Sequence, residues 1–153
     1  MSQQTTEDDA MTQATIPAPD LDDLEQHFFD ALRRGELLFQ KSAVNAWMPP
    51  RTEDPVSLST EWEWVAASGS GRLVSWVTYH IAYHPYFEDK LPYRVAVIEL
   101  DEGPRMIAPL DLGTTTPIVD TPMQLDIREA DGWPLPVFVP VADDADRSTR
   151  SAR

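Results

Sequence analysis

The chain has 153 residues, 42% hydrophobic and 25% charged, which suits one compact domain with tails. A net charge of −14 repels phosphate backbones and anionic lipid surfaces and so argues against a general nucleic-acid or membrane role. There is no cysteine, which excludes disulfides and thiolate metal sites.

Residues 1–19 are polar and end in Ile-Pro-Ala-Pro, the pattern of a disordered lead-in. They have neither the basic region nor the apolar core of a secretion signal. No apolar run approaches the roughly 18 residues that span a bilayer, so a cytoplasmic location is expected.

Residues 20–40 read as a helix and an arm. Asp20 is placed to cap the helix, and Asp22, Asp23 and Glu25 put negative charge on the positive end of its dipole. Leu21, Leu24, Phe28 and Leu32 form an apolar stripe at helical spacing, widened by Phe29, and its expected partner is the protein's own core. Arg33 and Arg34 suit the last turn and Gly35 the stop. The arm, Glu36 to Gln40, is short and apolar.

Residues 41–60, with Pro49, Pro50 and Pro55, form no regular helix. Ser42 and Asn45, then Asp54 and Ser57, stand as two polar pairs, a spacing usual for a metal ribbon. Trp47 and Met48 are costly to leave in water, by about 2 kcal/mol each, so they should pack. With Pro50, they are the expected packing residues of this segment.

From Glu61 to residue 142 the pattern is β. Trp62 and Trp64 alternate with Glu61 and Glu63, and Ser68–Gly71 turns the chain. Arg72–Tyr83 predicts a long strand with Leu73, Ser75, Val77, Tyr79 and Ile81 on one face. Val74, Trp76, Thr78, His80 and Ala82 take the other. A loop over 84–92 follows, then strand Tyr93–Leu100, a turn at 101–104 and a returning strand. A polar connection over 111–121 leads to two more strands around the turn at 130–132. Five main strands with no helix between them predict a mainly β fold, a small antiparallel barrel of OB type, with a sandwich-like sheet as the alternative. Residues 143–153 read as a disordered tail.

Candidate chemistry is sparse. His80 and His84 form an H-x3-H pair without a matched carboxylate, a weak metal signal. Tyr79, Tyr83, Tyr86, Phe87 and Tyr93 cluster with these histidines around one loop, where they either fill a barrel mouth or interface or line a pocket for part of an acyl-CoA. Arg72, Lys90, Arg94 and Arg105 offer a basic patch that an oligonucleotide-binding module would need. An independent small enzyme would have to use His80, His84 or Tyr93 as acid or base. No nucleophile elbow, P-loop or dinucleotide turn is present.

The order of these parts resembles the zinc-ribbon OB-fold family known as domain of unknown function 35. The resemblance rests on FFDALRRGELLFQKS, on PPR at 49–51, on EWVAASGSGRLVSWVTYH and on LPYRVAVIELDEGPRM, and covers residues 24–141. In the family, cysteines would stand at Ser42, Asn45, Asp54 and Ser57. The resemblance therefore implies an N-terminal helix, a degenerate, metal-free rubredoxin-like ribbon over 41–60, and a five-stranded OB barrel over 61–142. No zinc and no other cofactor is expected, because serine and asparagine are poor zinc ligands and one aspartate does not compensate. Packing, stiffened by prolines, is the expected substitute for the metal.

The resemblance also implies a function. Family members are accessory subunits that partner thiolase-like enzymes, including aldolases that shorten steroid side chains, or MaoC-like enoyl-CoA hydratases. They help form the acyl-CoA channel, while the catalytic residues belong to the partner. The expectation is a hetero-oligomer that is not catalytic alone, with Trp76, His80, Tyr83, His84, Phe87 and Tyr93 contacting acyl-CoA or the partner.

Overall fold

The structure, a computed structural model, describes residues 14–141. The disorder expected for 1–13 and for the C-terminal tail lies outside the described residues. Residues 14–19 are described, and one contact ties them to the fold. The Ile16 N–H donates to Asp131 Oδ2 at 2.8 Å.

Helix α1 spans Asp23–Arg33. Its cap is Asp22, not Asp20. Only Asp22 has a glutamate three residues on that can reciprocate, and both bonds of the capping box with Glu25 form. Gly35, at φ 85°, adopts the left-handed conformation that ends the helix. The amides of Gly35 and Glu36 then close back on the carbonyls of Leu32 and Ala31. The apolar stripe docks as expected. Leu32 is buried in the main core, with Phe28 and Phe29 packed against that core.

Two sheets follow. The small one joins β1 (Leu38–Lys41), β2 (Ala46–Trp47) and β3 (Glu63–Ala66) in the order β2-β1-β3. The large one joins β4 (Ser70–Tyr79), β5 (Tyr93–Leu100), β6 (Arg105–Pro109), β7 (Pro122–Ala130) and β8 (Trp133–Pro140) in the order β6-β5-β4-β7-β8. A parallel bridge from Leu110 to Phe138 joins its two ends. The Asp111 amide donates to the Phe138 carbonyl beside it. One five-stranded antiparallel sheet closed in this way is an OB-type barrel, which decides against the sandwich alternative. Its interior holds Leu73, Ala96, Ile98, Leu100, Met106, Ala108, Met123 and Phe138.

Three expectations need correction. The strand around Trp62 and Trp64 does not open the barrel: β3 pairs with β1, from Leu38 opposite Ala66 to Lys41 opposite Glu63. Period-two alternation reveals a strand but not its neighbour. The long strand ends at Tyr79, and residues 80–84 leave the sheet and lead into a 3-10 helix, Pro85–Lys90, that His84 caps. Its faces are also not the ones simple alternation assigns. The register against β5 slips between Leu73 and Ser75, a bulge at Val74. Leu73 and Trp76 therefore both face the core, and Ser75, Val77 and Tyr79 face outward.

Helix α1 fastens the two sheets together. His27 stacks on Trp64 of the small sheet, centroids 5.1 Å apart, and Phe29 meets Trp133 of the barrel edge-on at 5.5 Å. The Arg33 guanidinium lies over Trp133.

Candidate functional site

Two features of the fold concentrate polar or aromatic groups. The first is the ribbon. Ser42, Asn45, Asp54 and Ser57 converge, and Asp54 is their centre. Ser42 Oγ and Ser57 Oγ donate to Asp54 Oδ2 at 2.7 and 2.8 Å. Asn45 Nδ2 and the Val56 amide donate to Oδ1 at 2.9 and 2.8 Å. Asp54 is fully buried. Burial alone would raise its pKa. The hydrogen bonds from Asn45, Ser42, the Val56 amide and Ser57 outweigh burial and hold the carboxyl well below the usual carboxylate range.

These residues do not fit a zinc ion. Both oxygens of the single carboxylate are engaged by four donors, and neither serine nor asparagine supplies an anionic ligand. Among the described residues, no group of three or more His, Cys, Asp or Glu could hold a metal. The histidines lie apart from any such site. His84 caps the 3-10 helix, its Nδ1 accepting the Tyr86 amide at 3.2 Å, and His80 is exposed beyond the end of β4.

A second polar centre lies beside the first. Buried Gln40 accepts the Trp47 indole N–H at 2.9 Å and the Arg51 amide at 2.6 Å, and its own amide donates to the Arg51 carbonyl at 2.8 Å. Trp47 is buried and meets Trp62 edge-on, Met48 packs against the main core, and Pro50 is half-buried. Besides this packing, the four positions where the resemblance would place cysteines hold the loops through Asp54. Sequence reasoning missed this. The signal was an acid among three side-chain donors at ligand spacing.

The second feature is an open cavity of about 740 Å³ on the outside of the barrel. Its floor is the outer face of β5 and β6, with Tyr93, Val95 and Pro109. One wall is the 80–92 loop with Tyr83, Tyr86, Phe87 and Lys90, and the other is β7 and β8 with Arg128, Leu135 and Val137. This is the face, between the first and last loops, that OB barrels use for ligands, and its size suits a small molecule. The rings brace one another: Tyr79 stacks on Tyr93 at 4.9 Å, and Phe87 stacks on Tyr93 at 5.0 Å. Lys90 lies 3.7 Å above the Tyr86 ring. Arg128 is paired with Asp111 at 2.8 Å. Asp111 is held below its ordinary pKa by the Gly113 amide and then by Arg128. Ile16 also lines it.

Of the residues expected to contact acyl-CoA or a partner, Tyr83, Phe87 and Tyr93 line this cavity, together with Tyr79 and Tyr86 of the same cluster. Trp76, His80 and His84 do not. The bulge turns Trp76 inward against the core. The far wall, Leu110, Leu112, Leu135 and Val137, comes from late strands that nothing in the local sequence ties to the aromatic loop. The basic patch does not assemble: Arg72 and Arg105 both bind Glu99, while Lys90 and Arg94 border the cavity.

Comparison with known proteins agrees with this geometry. A chain of a solved Ltp2–ChsH2(DUF35) aldolase superposes with a TM-score of 0.71 at 32% identity, over 82% of this chain and 100% of that one. The chain belongs to the OB-fold DUF35 family. The family model described as the C-terminal OB-fold domain of ChsH2 matches residues 64–128. A DUF35 protein of unknown function from Sulfolobus solfataricus shares the fold, with a TM-score of 0.55 at 15% identity over 78% of this chain and 86% of that one. A curated relative from Thermomonospora curvata, "Probable enoyl-CoA hydratase alpha subunit", is 34% identical over 131 residues, 83% of this chain. The chain spans 40% of the length of that relative. Among the described residues, no helix is long and apolar enough to cross a membrane.

Proposed function

We propose that the protein is a non-catalytic accessory subunit of an acyl-CoA-processing complex, partnering a thiolase-like aldolase and helping to form its acyl-CoA channel. The observation that carries this reading is the match, at 32% identity, to the whole of one chain of an Ltp2–ChsH2(DUF35) aldolase. The aromatic cavity supports it. Tyr83, Phe87 and Tyr93, with Tyr79 and Tyr86, offer an apolar wall open on one side, suited to complete a channel rather than to enclose a substrate. Catalysis in this reading belongs to the partner. The braced rings and the paired Arg128 position and shield an acyl group, and no proton transfer is assigned to them.

A hydratase partner of MaoC type is the second reading, favoured by the curated relative named as a hydratase alpha subunit. The two are separated by co-expressing this chain with an Ltp2-type aldolase or with a MaoC-like hydratase. Retro-aldol cleavage and enoyl-CoA hydration are then assayed with and without it. The expected result is a stable complex with the aldolase whose turnover depends on this chain, and no activity from the chain alone. A chain that neither associates with these enzymes nor changes their turnover would remove the proposal.

A further inference from the structure

The outer face of β4, β5 and β6 is apolar where an exposed sheet face should be polar. Antiparallel sheets that face water on one side alternate apolar-in and polar-out. Here the inner positions already form the core: Leu73, Ala96, Ile98, Met106 and Ala108. Most outward positions are apolar as well, Ser75 opposite Val97 being a polar exception. Val97 pairs with Ile107, Val95 lies between Val77 and Pro109, and Tyr79 pairs with Tyr93. Val77 is 53% exposed and Ile107 74%. In the adjoining loop Ile81 and Tyr83 are exposed too, and Tyr83 meets Tyr79 of the face edge-on at 6.3 Å. A sheet apolar on both faces is built to be covered on both, and contiguous exposed apolar surface marks an interaction site.

The charge around this face selects its occupant. One end is closed by the row Arg72–Glu99–Arg105, whose charges are satisfied within the chain, with Asp120 on Arg72. The other end, at the loop, carries Glu88 and Asp89 with Lys90 paired to Asp89. A second copy of a chain with net charge −14 would bring like charge to like charge and meet no free cation in the paired row. An anionic membrane meets the same repulsion.

We propose that the β4–β5–β6 outer face is the docking surface for the enzyme subunit, and that docking closes the open side of the aromatic cavity. The partner surface it fits is an apolar patch with a basic group beside Glu88, the acid of this pair that Lys90 does not bind. The inference rests on the accessory-subunit reading and names the face that reading uses. Tyr79, Tyr93, Val95 and Pro109 belong to both the face and the cavity floor, so whatever covers the first borders the second. The acyl pocket is then shared between the two chains.

The test uses the full chain and an Ltp2-type aldolase, with affinity measured by calorimetry and assembly by sedimentation. Val77→Asp and Ile107→Asp change exposed side chains and leave the fold intact, verified by an unchanged melting temperature. Each is expected to weaken the complex about thirtyfold or more, as loss of an interface anchor does. Val44→Asp, at a ribbon valine as exposed as Ile107, is expected to leave affinity unchanged. Wild-type affinity retained by both face variants would overturn the docking surface while leaving the accessory role standing. Absence of any wild-type complex, with either the aldolase or a MaoC-like hydratase, would overturn both. A wild-type homodimer that Ile107→Asp dissolves would assign the face to a second copy and overturn the proposal.

Discussion

Ser42 Oγ donates to Asp54 Oδ2 at 2.7 Å, joining the two loops that carry the polar pairs of residues 41–60. Asp54 is the acceptor for all four donors at the site, so its charge state governs the segment. Its folded-state pKa lies below the unfolded carboxylate value of about 3.9. A depressed pKa contributes stability that is complete above the unfolded value and is lost as pH falls through the folded one. Glu99, held low by Arg72 and Arg105, and Asp111 add to the acid limb with the same sign. Asp54→Asn should therefore lower the melting temperature at about pH 7, and the gap from wild type should narrow as pH drops below about 4. A gap independent of pH would show that the carboxylate charge is not what holds the loops.

Zinc should be dispensable. Metal analysis of the purified protein is expected to find no stoichiometric zinc, and chelator should leave the melting temperature unchanged. The four positions still surround one point, so the combined Ser42→Cys, Asn45→Cys, Asp54→Cys and Ser57→Cys variant is expected to bind about one zinc per chain and to become chelator-sensitive. Zinc found in the wild type at residues 42–57 would contradict the Asp54-centred account.

Strand content and barrel type could be read from the chain because β5 and β6 are short runs rich in apolar and β-branched residues, joined by an Asp-Glu-Gly-Pro turn whose Gly103 takes φ 105°. The partner of β3 could not, since alternation in Glu61–Val65 is the same whether the strand joins the barrel or β1. The outward turn of Val77 depended on one extra residue at Val74, and a single-residue bulge leaves no signature in a run of β-branched and aromatic side chains. The aromatic half of the cavity was local in sequence and visible. Its other half, Leu135 and Val137, exists only because the barrel closes.

Trp47 supports the ribbon in two ways that can be separated. It is 5% exposed, and its indole N–H is bonded to Gln40. Trp47→Ala should cost about 3–5 kcal/mol in denaturant unfolding, the range for a buried tryptophan. Trp47→Phe retains much of the apolar area but removes the donor, while Gln40 Oε1 keeps the Arg51 amide. Its cost should be the smaller, about 1–2 kcal/mol. Equal losses in the two variants would mean that the ring area contributes little and that the hydrogen bond dominates.

Gly71 tests the β4–β5 ladder directly. Its φ is ordinary for any residue, so the constraint is space rather than backbone conformation. A Cβ there would lie 2.5 Å from the Glu99 carbonyl oxygen and 3.1 Å from Ile98 Cγ2. The first contact is to backbone and cannot relax by rotating a side chain. Gly71→Ala must push β4 away from β5 at the Gly71–Leu100 pair, beside buried Leu73. The expected cost is about 1–3 kcal/mol, the range for an overpacked site. Amide exchange should rise at Leu73 and Leu100 more than in the small sheet. Gly103→Ala, which has open space but φ 105°, should instead destabilise only the β5–β6 turn. If the two variants raised exchange over the same residues, a single mechanism would operate at both glycines and the steric account of Gly71 would be wrong.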